Sequence, residues 1–198
     1  MLGAIEFRAP QKARKKKSDF AQRFFEFFAF GELTSNFNTS VEGIQMEAIR
    51  LQAIGTVHNK ITEPVDTGWG NVQSSIVLKP EWEGGFDGLD QFSHALILTY
   101  LHQVATRDQP VPPRRHPRNR TDMPLLGVFS QRARVRPNPI GVTACKIVGV
   151  DSRELIVKGL DAIDGTPVLD VKPYVPIFDR IESPVVPPWV DELMADYR

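Results

Sequence analysis

Short apolar runs broken by polar turns fill the chain from Met46 onward. Ile49 to Val57 is apolar and ends at a polar turn, and Val72 to Leu78 alternates until Lys79-Pro80 stops it. His94 to Leu101 (HALILTYL) is a nearly continuous apolar run of strand length, which predicts a buried strand. Leu125 to Phe129, Gly141 to Val150, Glu154 to Leu160 and Val168 to Val171 add short β-branched segments with turns between them. Leu89 to Phe92 predicts one helical turn, and Trp189 to Arg198 a short terminal helix behind Pro187 and Pro188. Pro64 to Asn71, a Gly-rich stretch around Trp69, and Val104 to Pro124 read as loops. The class is therefore mainly β: an antiparallel barrel or sandwich with few short helices.

Residues 1–45 read differently. A basic run (Lys12, Arg14 to Lys17) precedes Phe20, Phe24, Phe27 and Phe28 at helical spacing, with Arg23 and Glu26 between them. A basic amphipathic helix of that kind would suit a membrane surface or a partner. A loosely attached extension is the simpler reading, and membrane contact is not expected. Met46 stands just before the first strand, which leaves the natural start open between Met1 and Met46. The expected organisation is an extension over 1–45, a barrel domain over 46–182 and a tail over 183–198.

Composition narrows the chemistry. Twenty-four basic and 24 acidic residues balance, so any attraction to nucleic acid must come from local clustering. That clustering exists: between Arg107 and Arg136 lie eight arginines against Asp108 and Asp122. Arginine forks match phosphate oxygens two at a time. RNA is favoured over DNA, because no helix is shaped for a major groove. Cys145 is the only cysteine, which excludes an internal disulfide and a multi-cysteine metal site; in a strand it reads as a small core residue. No metal is expected.

Two stretches stand out as rigid and polar. In Phe129 to Gly141 (FSQRARVRPNPIG), Pro137 and Pro139 fix their own φ and push Arg136 and Asn138 towards extended backbone. In Asp161 to Tyr174 (DAIDGTPVLDVKPY), a DG turn leads into an alternating strand. Asp161 and Asp164, read alone, are turn residues. His102 and Gln103 close the apolar strand, where a histidine is as readily a satisfied surface group as a functional one. No Gly-rich phosphate loop of the Walker or Rossmann type is present, so the common α/β methyltransferase fold is not suggested by pattern.

At these residues the chain resembles the TsaA-like (TrmO) family. The likeness covers roughly Ala53 to Phe178 and is strongest at GVFSQRARVRPNPIG (Gly127 to Gly141), LDAIDGTPVLDVKPYVP (Leu160 to Pro176) and LDQFSHALILTYLHQ (Leu89 to Gln103). The resemblance implies an antiparallel β-barrel and a cytoplasmic homodimer. The implied activity is S-adenosylmethionine-dependent methylation of tRNA, on the exocyclic nitrogen of threonylcarbamoyladenosine beside the anticodon. Carried over by position, the cofactor contacts fall on His102, Gln103, Arg132, Val142, Asp161, Ala162, Ile163 and Asp164. A Pro-Arg-Gln stretch common in the family is absent, and Trp69, Gly70 and Asn71 stand as its expected replacement. The chain is expected to be a short form, without the extra C-terminal domain of longer relatives. Asp164 and His102 are the candidates to accept the proton that the nitrogen loses. By position, Arg136, Asn138, Lys172 and Tyr174 are expected to meet RNA. The rival reading is a barrel that binds S-adenosylmethionine or RNA without transferring a methyl.

Overall fold

Among the described residues eight strands form in order: β1 (Gly55–His58), β2 (Gln73–Leu78), β3 (His94–Tyr100), β4 (Arg114–Arg115), β5 (Leu126–Gly127), β6 (Ile140–Val150), β7 (Glu154–Lys158) and β8 (Pro167–Pro173). Six of them close into a barrel in the order β1-β2-β7-β6-β3-β8 and back to β1, every pair antiparallel. Closure leaves no bare sheet edge in the barrel. The computed structural model describes residues 49–105 and 110–197. Ile49–Arg198 form one compact unit. The basic-aromatic extension, and Arg107 with Asp108 of the arginine-rich loop, lie outside the described residues.

Alternation decides which side of each strand faces in. β3 buries Ala95, Ile97 and Thr99 and leaves Leu96, Leu98 and Tyr100 half-covered on the outer face. The core gathers Ile76, Ile97, Leu155 and Leu160, all fully buried, and each contributes about 1.5–3 kcal/mol over the exposed state. Cys145 is buried among them, as the sequence suggests for a small core residue.

Three readings need correction. The apolar run from Ile49 is not strand before Gly55: Ile49 and Leu51 are 87% and 61% exposed, and only the last residues pair with β2 and β8. The expected loop from Val104 to Pro124 holds β4, which pairs with β5. His102 and Gln103 do not end the strand but open a four-residue helix, α1 (His102–Ala105). A second turn, α2 (Pro176–Asp179), follows β8, and the terminal helix α3 spans Pro188–Met194.

The register gathers the loops by rim. Tyr100 pairs with Ile140, Thr99 with Val168, and Gln73 with Lys158. The ends of β1, β3 and β7 and the starts of β2, β6 and β8 therefore share one rim. The connections 59–72, 101–139 and 159–166 all emerge there. These are the segments that hold nearly every candidate site residue.

Candidate functional site

The loop after β7 is bolted to the end of β1 by one side chain. The Asn59 amide donates to Ser74 Oγ at 2.9 Å and to the Ala162 carbonyl at 2.8 Å, while its Oδ1 accepts from the Ile61 N–H at 2.9 Å. The Asn59 N–H in turn donates to Asp164 Oδ1 at 3.1 Å, and the Asp164 N–H donates to the Ile61 carbonyl at 2.7 Å. His58 Nδ1 stands 3.6 Å from the same Asp164 oxygen. Gly165 closes the turn at φ 76°, a left-handed conformation that favours glycine. Ala162 and Ile163 are buried, so this segment presents its two carboxylates and little else.

Asp161 meets two other parts of the chain. The Tyr197 hydroxyl donates to Asp161 Oδ2 at 2.6 Å. Tyr197 is itself held by its backbone, because the Trp69 N–H donates to the Tyr197 carbonyl and the Gly68 N–H to that of Asp196, both at 3.2 Å. Burial pushes the Asp161 carboxyl above the ordinary aspartate range, and Asp66 adds to that. The Tyr197 bond and the nearby Arg132 and Arg134 guanidiniums pull it back, without fully offsetting burial.

Arg132 links Asp161 to the barrel wall. Its Nη2 donates to the Val142 carbonyl at 2.5 Å. Gly141, just before Val142, has no room for a side chain: a Cβ there would lie 2.5 Å from Thr99 Oγ1 and 3.3 Å from Leu101 Cδ2. The Leu101 N–H donates to the Pro139 carbonyl at 2.8 Å, which docks the Pro-Asn-Pro turn beside α1. His102, the first residue of α1, has a buried Nδ1 with no hydrogen-bond partner among the described residues. Gln103 is exposed.

Contacts thus join Arg132 to Val142, and Asp161 through Tyr197 to Trp69; Arg132 acts on Asp161 by its charge, and Asp164 and His102 lie on the same rim. Trp69 is only 2% exposed, and its indole donates to the Val65 carbonyl at 3.2 Å, so it anchors its loop from inside. Gly70 and Asn71 instead line a depression of about 430 Å³ on the outer wall, with His94, Lys146 and Lys158. Lys172 and Tyr174 are not brought to the Pro-Asn-Pro turn. Lys172 pairs with Leu96, on the order of 20 Å along β3 from His102. The Lys172 ammonium is ion-paired with Asp170 at 2.6 Å, and the Tyr174 ring stands edge-on to His94 at 6.5 Å.

Five residues at or near the candidate site escape the sequence reading: Asn59, Tyr197, Gln131 and the lysine pair Lys146 and Lys158. Gln131 is 7% exposed and donates from Nε2 to the Arg115 carbonyl at 2.8 Å. Lys146 and Lys158 face each other across β6 and β7, and His94 faces Lys146 across β3 and β6. Like charges directly opposite in a sheet are unfavourable, and neither lysine has an ion-pair partner among the described residues. Only the strand register exposes that pairing. Among the described residues no group of three or more His, Cys, Asp or Glu could hold a metal ion, and no helix is long and apolar enough to cross a membrane.

Comparison with known proteins bears on this rim. A family model described as the tRNA-methyltransferase O N-terminal domain matches residues 56–180. A probable S-adenosyl-L-methionine-binding protein of Methanothermobacter thermautotrophicus is 36% identical over 140 residues, covering 68% of this chain and 94% of that protein. A human tRNA (adenine(37)-N6)-methyltransferase is 38% identical over 114 residues, 56% of this chain and 23% of its own length. The crystal structure of TrmO from Pseudomonas aeruginosa superposes with a TM-score of 0.60 at 28% identity, covering 74% of this chain and 64% of that one. The chain thus spans less than two thirds of that solved protein and about a quarter of the human one. The family match over most of the barrel, the shared closed β architecture and the likeness to an S-adenosylmethionine-binding protein lead to one assignment: the chain belongs to the TrmO family of S-adenosylmethionine-dependent tRNA methyltransferases.

Proposed function

We propose that this protein, as a cytoplasmic homodimer, methylates the exocyclic nitrogen of threonylcarbamoyladenosine in tRNA. The observation that carries the reading is the meeting of Arg132, the Val142 carbonyl and the desolvated Asp161 carboxylate at one rim. These residues fit S-adenosylmethionine. A poorly hydrated carboxylate suits its cationic groups, and the orphaned His102 Nδ1 leaves a polar atom for ligand or substrate. When bound, the cofactor supplies an electrophilic methyl group on a sulfonium.

The chain's own residues then have positioning to do. Asn59 fixes the height of the Asp161–Asp164 loop against β1. Arg132 ties the Val142 end of β6 to the same site. Holding two reactants in line supplies much of the acceleration in a transfer of this kind. The amide-like nitrogen must lose a proton, and His102 is the better placed acceptor. Its Nδ1 has no other bond, whereas Asp164 Oδ1 already accepts from the Asn59 backbone.

RNA binding is assigned to the cationic outer wall. Lys158, Lys146, His94 and Tyr174 form one row across neighbouring strands, and the depression at its upper end touches Gly70 and Asn71. Replacing both lysines with alanine is expected to lower the slope of log affinity for tRNA against log salt by roughly 2, about 1 per phosphate contact. An unchanged slope in filter binding would remove the row from the RNA path.

The main test uses labelled S-adenosylmethionine with tRNA that carries or lacks the threonylcarbamoyl group. Label is expected only in the modified tRNA. Label in neither, with cofactor still bound, would favour a binding module instead. A monomer in sedimentation would withdraw the dimer alone.

A further inference from the structure

A second cavity, also about 430 Å³, opens beside the Pro-Asn-Pro turn, within the range of small-ligand sites. Tyr100, Val104, Val111 and Pro137 give it flat apolar walls, and Arg115 and Arg136 give it two positive charges. Tyr100 and Val104 lie two residues either side of His102, the residue assigned to the proton transfer, so the cavity opens on the same short segment.

Both guanidiniums are held in place and neither is neutralised. The buried Gln131 braces both residues: its Nε2 donates to the Arg115 backbone carbonyl at 2.8 Å, and its own backbone carbonyl accepts from the Arg136 guanidinium, Nη1, at 3.4 Å. Arg115 Nη2 donates to Asn119 Oδ1 at 2.9 Å, yet its Nε is buried without a partner. Neither arginine has a carboxylate partner among the described residues. The same loop shows the alternative, since Arg120 is bound by both Asp122 at 2.5 Å and Glu192 at 2.8 Å. Arg118 and Asn119 sit at φ 47° and 58°, a left-handed conformation unusual for non-glycine residues and concentrated at functional sites. Pro117, buried beside them, and the Arg118 Nη2 bond to the Asp66 carbonyl at 2.7 Å hold that conformation.

We propose that this cavity receives a nucleobase that carries a carboxylate, with Arg115 and Arg136 reading the carboxylate. The inference rests on the tRNA methyltransferase reading above. Apolar walls accept the flat face of an extruded base, and arginine forks match a carboxylate by shape and charge. A backbone phosphate shares the oxyanion chemistry, but its hydrated ribose suits these walls poorly. Arg115 and Arg136 are then specificity-determining residues. A site built to pair a polar group rejects the analogue that lacks it, because its own groups are left unpaired.

The test is binding of anticodon stem-loop RNAs to the full chain, with no methyl transfer required. Three RNAs are compared: one with the threonylcarbamoyl base, one with that base's carboxylate converted to a neutral amide, and one with plain adenosine. Wild type is expected to prefer the acid over the amide by about 10-fold or more. Arg136→Gln and Arg115→Ala are expected to lose that preference while binding plain RNA as before. Unchanged melting temperature of Arg136→Gln controls for folding. Equal wild-type binding of acid and amide, or a preference that survives in both variants, would overturn the proposal. So would a parallel loss on all three RNAs, which would assign the arginines to a phosphate. A wild type that binds none of the three fails the RNA reading itself, and this ligand with it.

Discussion

Asp161→Asn is expected to weaken S-adenosylmethionine binding by about 10- to 100-fold, the loss of one hydrogen bond to a charged group, and to leave stability at neutral pH equal or higher. The two effects share one cause. Burial holds the Asp161 carboxyl above its ordinary range, and the Tyr197 hydroxyl with Arg132 and Arg134 offset only part of that. A raised acid is a liability to the fold once ionised. The unfolded chain releases its proton at the ordinary aspartate value, the folded chain only at the raised one. Stability therefore falls as pH climbs from the first value through the second, and stays lower above it. Asparagine has no such loss, and its carbonyl can still accept from Tyr197. Bound cation reverses the sign for the ligand. Binding should strengthen as pH rises through the raised value, and should release protons there. Titration calorimetry in two buffers and melting curves at pH 4 and pH 7 read both arms. Wild-type affinity in the variant would end the assignment, and a lower melting temperature at pH 7 would end the account of the strain.

Sites commonly keep groups that the fold alone would discard, and Asp161 fits that pattern in its placement. Tyr197 covers it from 36 positions away. No local pattern in the sequence announces such a partner. Asn59 is the same case at greater range, 105 positions from the Asp164 it supports. What sequence does carry is the strand alternation. β3 falls within His94 to Leu101, where a nearly continuous apolar run of strand length marks it, although which residues face inward, Ala95, Ile97 and Thr99, shows only in the fold. The Pro-Asn-Pro turn was legible too, since proline fixes its own backbone wherever it stands.

The failures have physical reasons. Ile49 to Ile54 is apolar enough for strand, but only its last residue meets the barrel: the Ile54 N–H donates to the Val168 carbonyl, its carbonyl accepts from the Lys79 N–H, and ladder pairing with β2 begins at Gly55. Local propensity cannot see the closing edge of a barrel. His102 turns into α1 one residue past the last β3–β6 bond, from the Leu101 N–H to the Pro139 carbonyl, where Pro139 and Pro137 end the partner strand and the ladder stops. The departure at Trp69 also changes meaning once the fold is known. The large residue there is packing, held by Val65 and covered by Tyr197, and the exposed part of the replacement is Gly70 and Asn71.

The other large effect is expected at that histidine. His102→Ala should lower kcat by about 10²- to 10⁴-fold, the usual yield of a positioned general base, while the KM for tRNA stays within a few-fold of wild type. The reason is geometric. His102 offers a buried Nδ1 that no group among the described residues occupies, at the start of a helix whose Val104 lines the proposed substrate cavity. Asp164 is the competitor, and its Oδ1 is engaged by the Asn59 N–H with His58 Nδ1 3.6 Å away. Asp164→Asn should therefore act mainly on cofactor affinity, through the loop it braces. If His102→Ala raised only the KM for cofactor and kept kcat, the histidine would be a cofactor ligand and nothing more. If Asp164→Asn removed kcat instead, the proton would belong to the carboxylate, and Asn59 would be orienting the base as well as the loop.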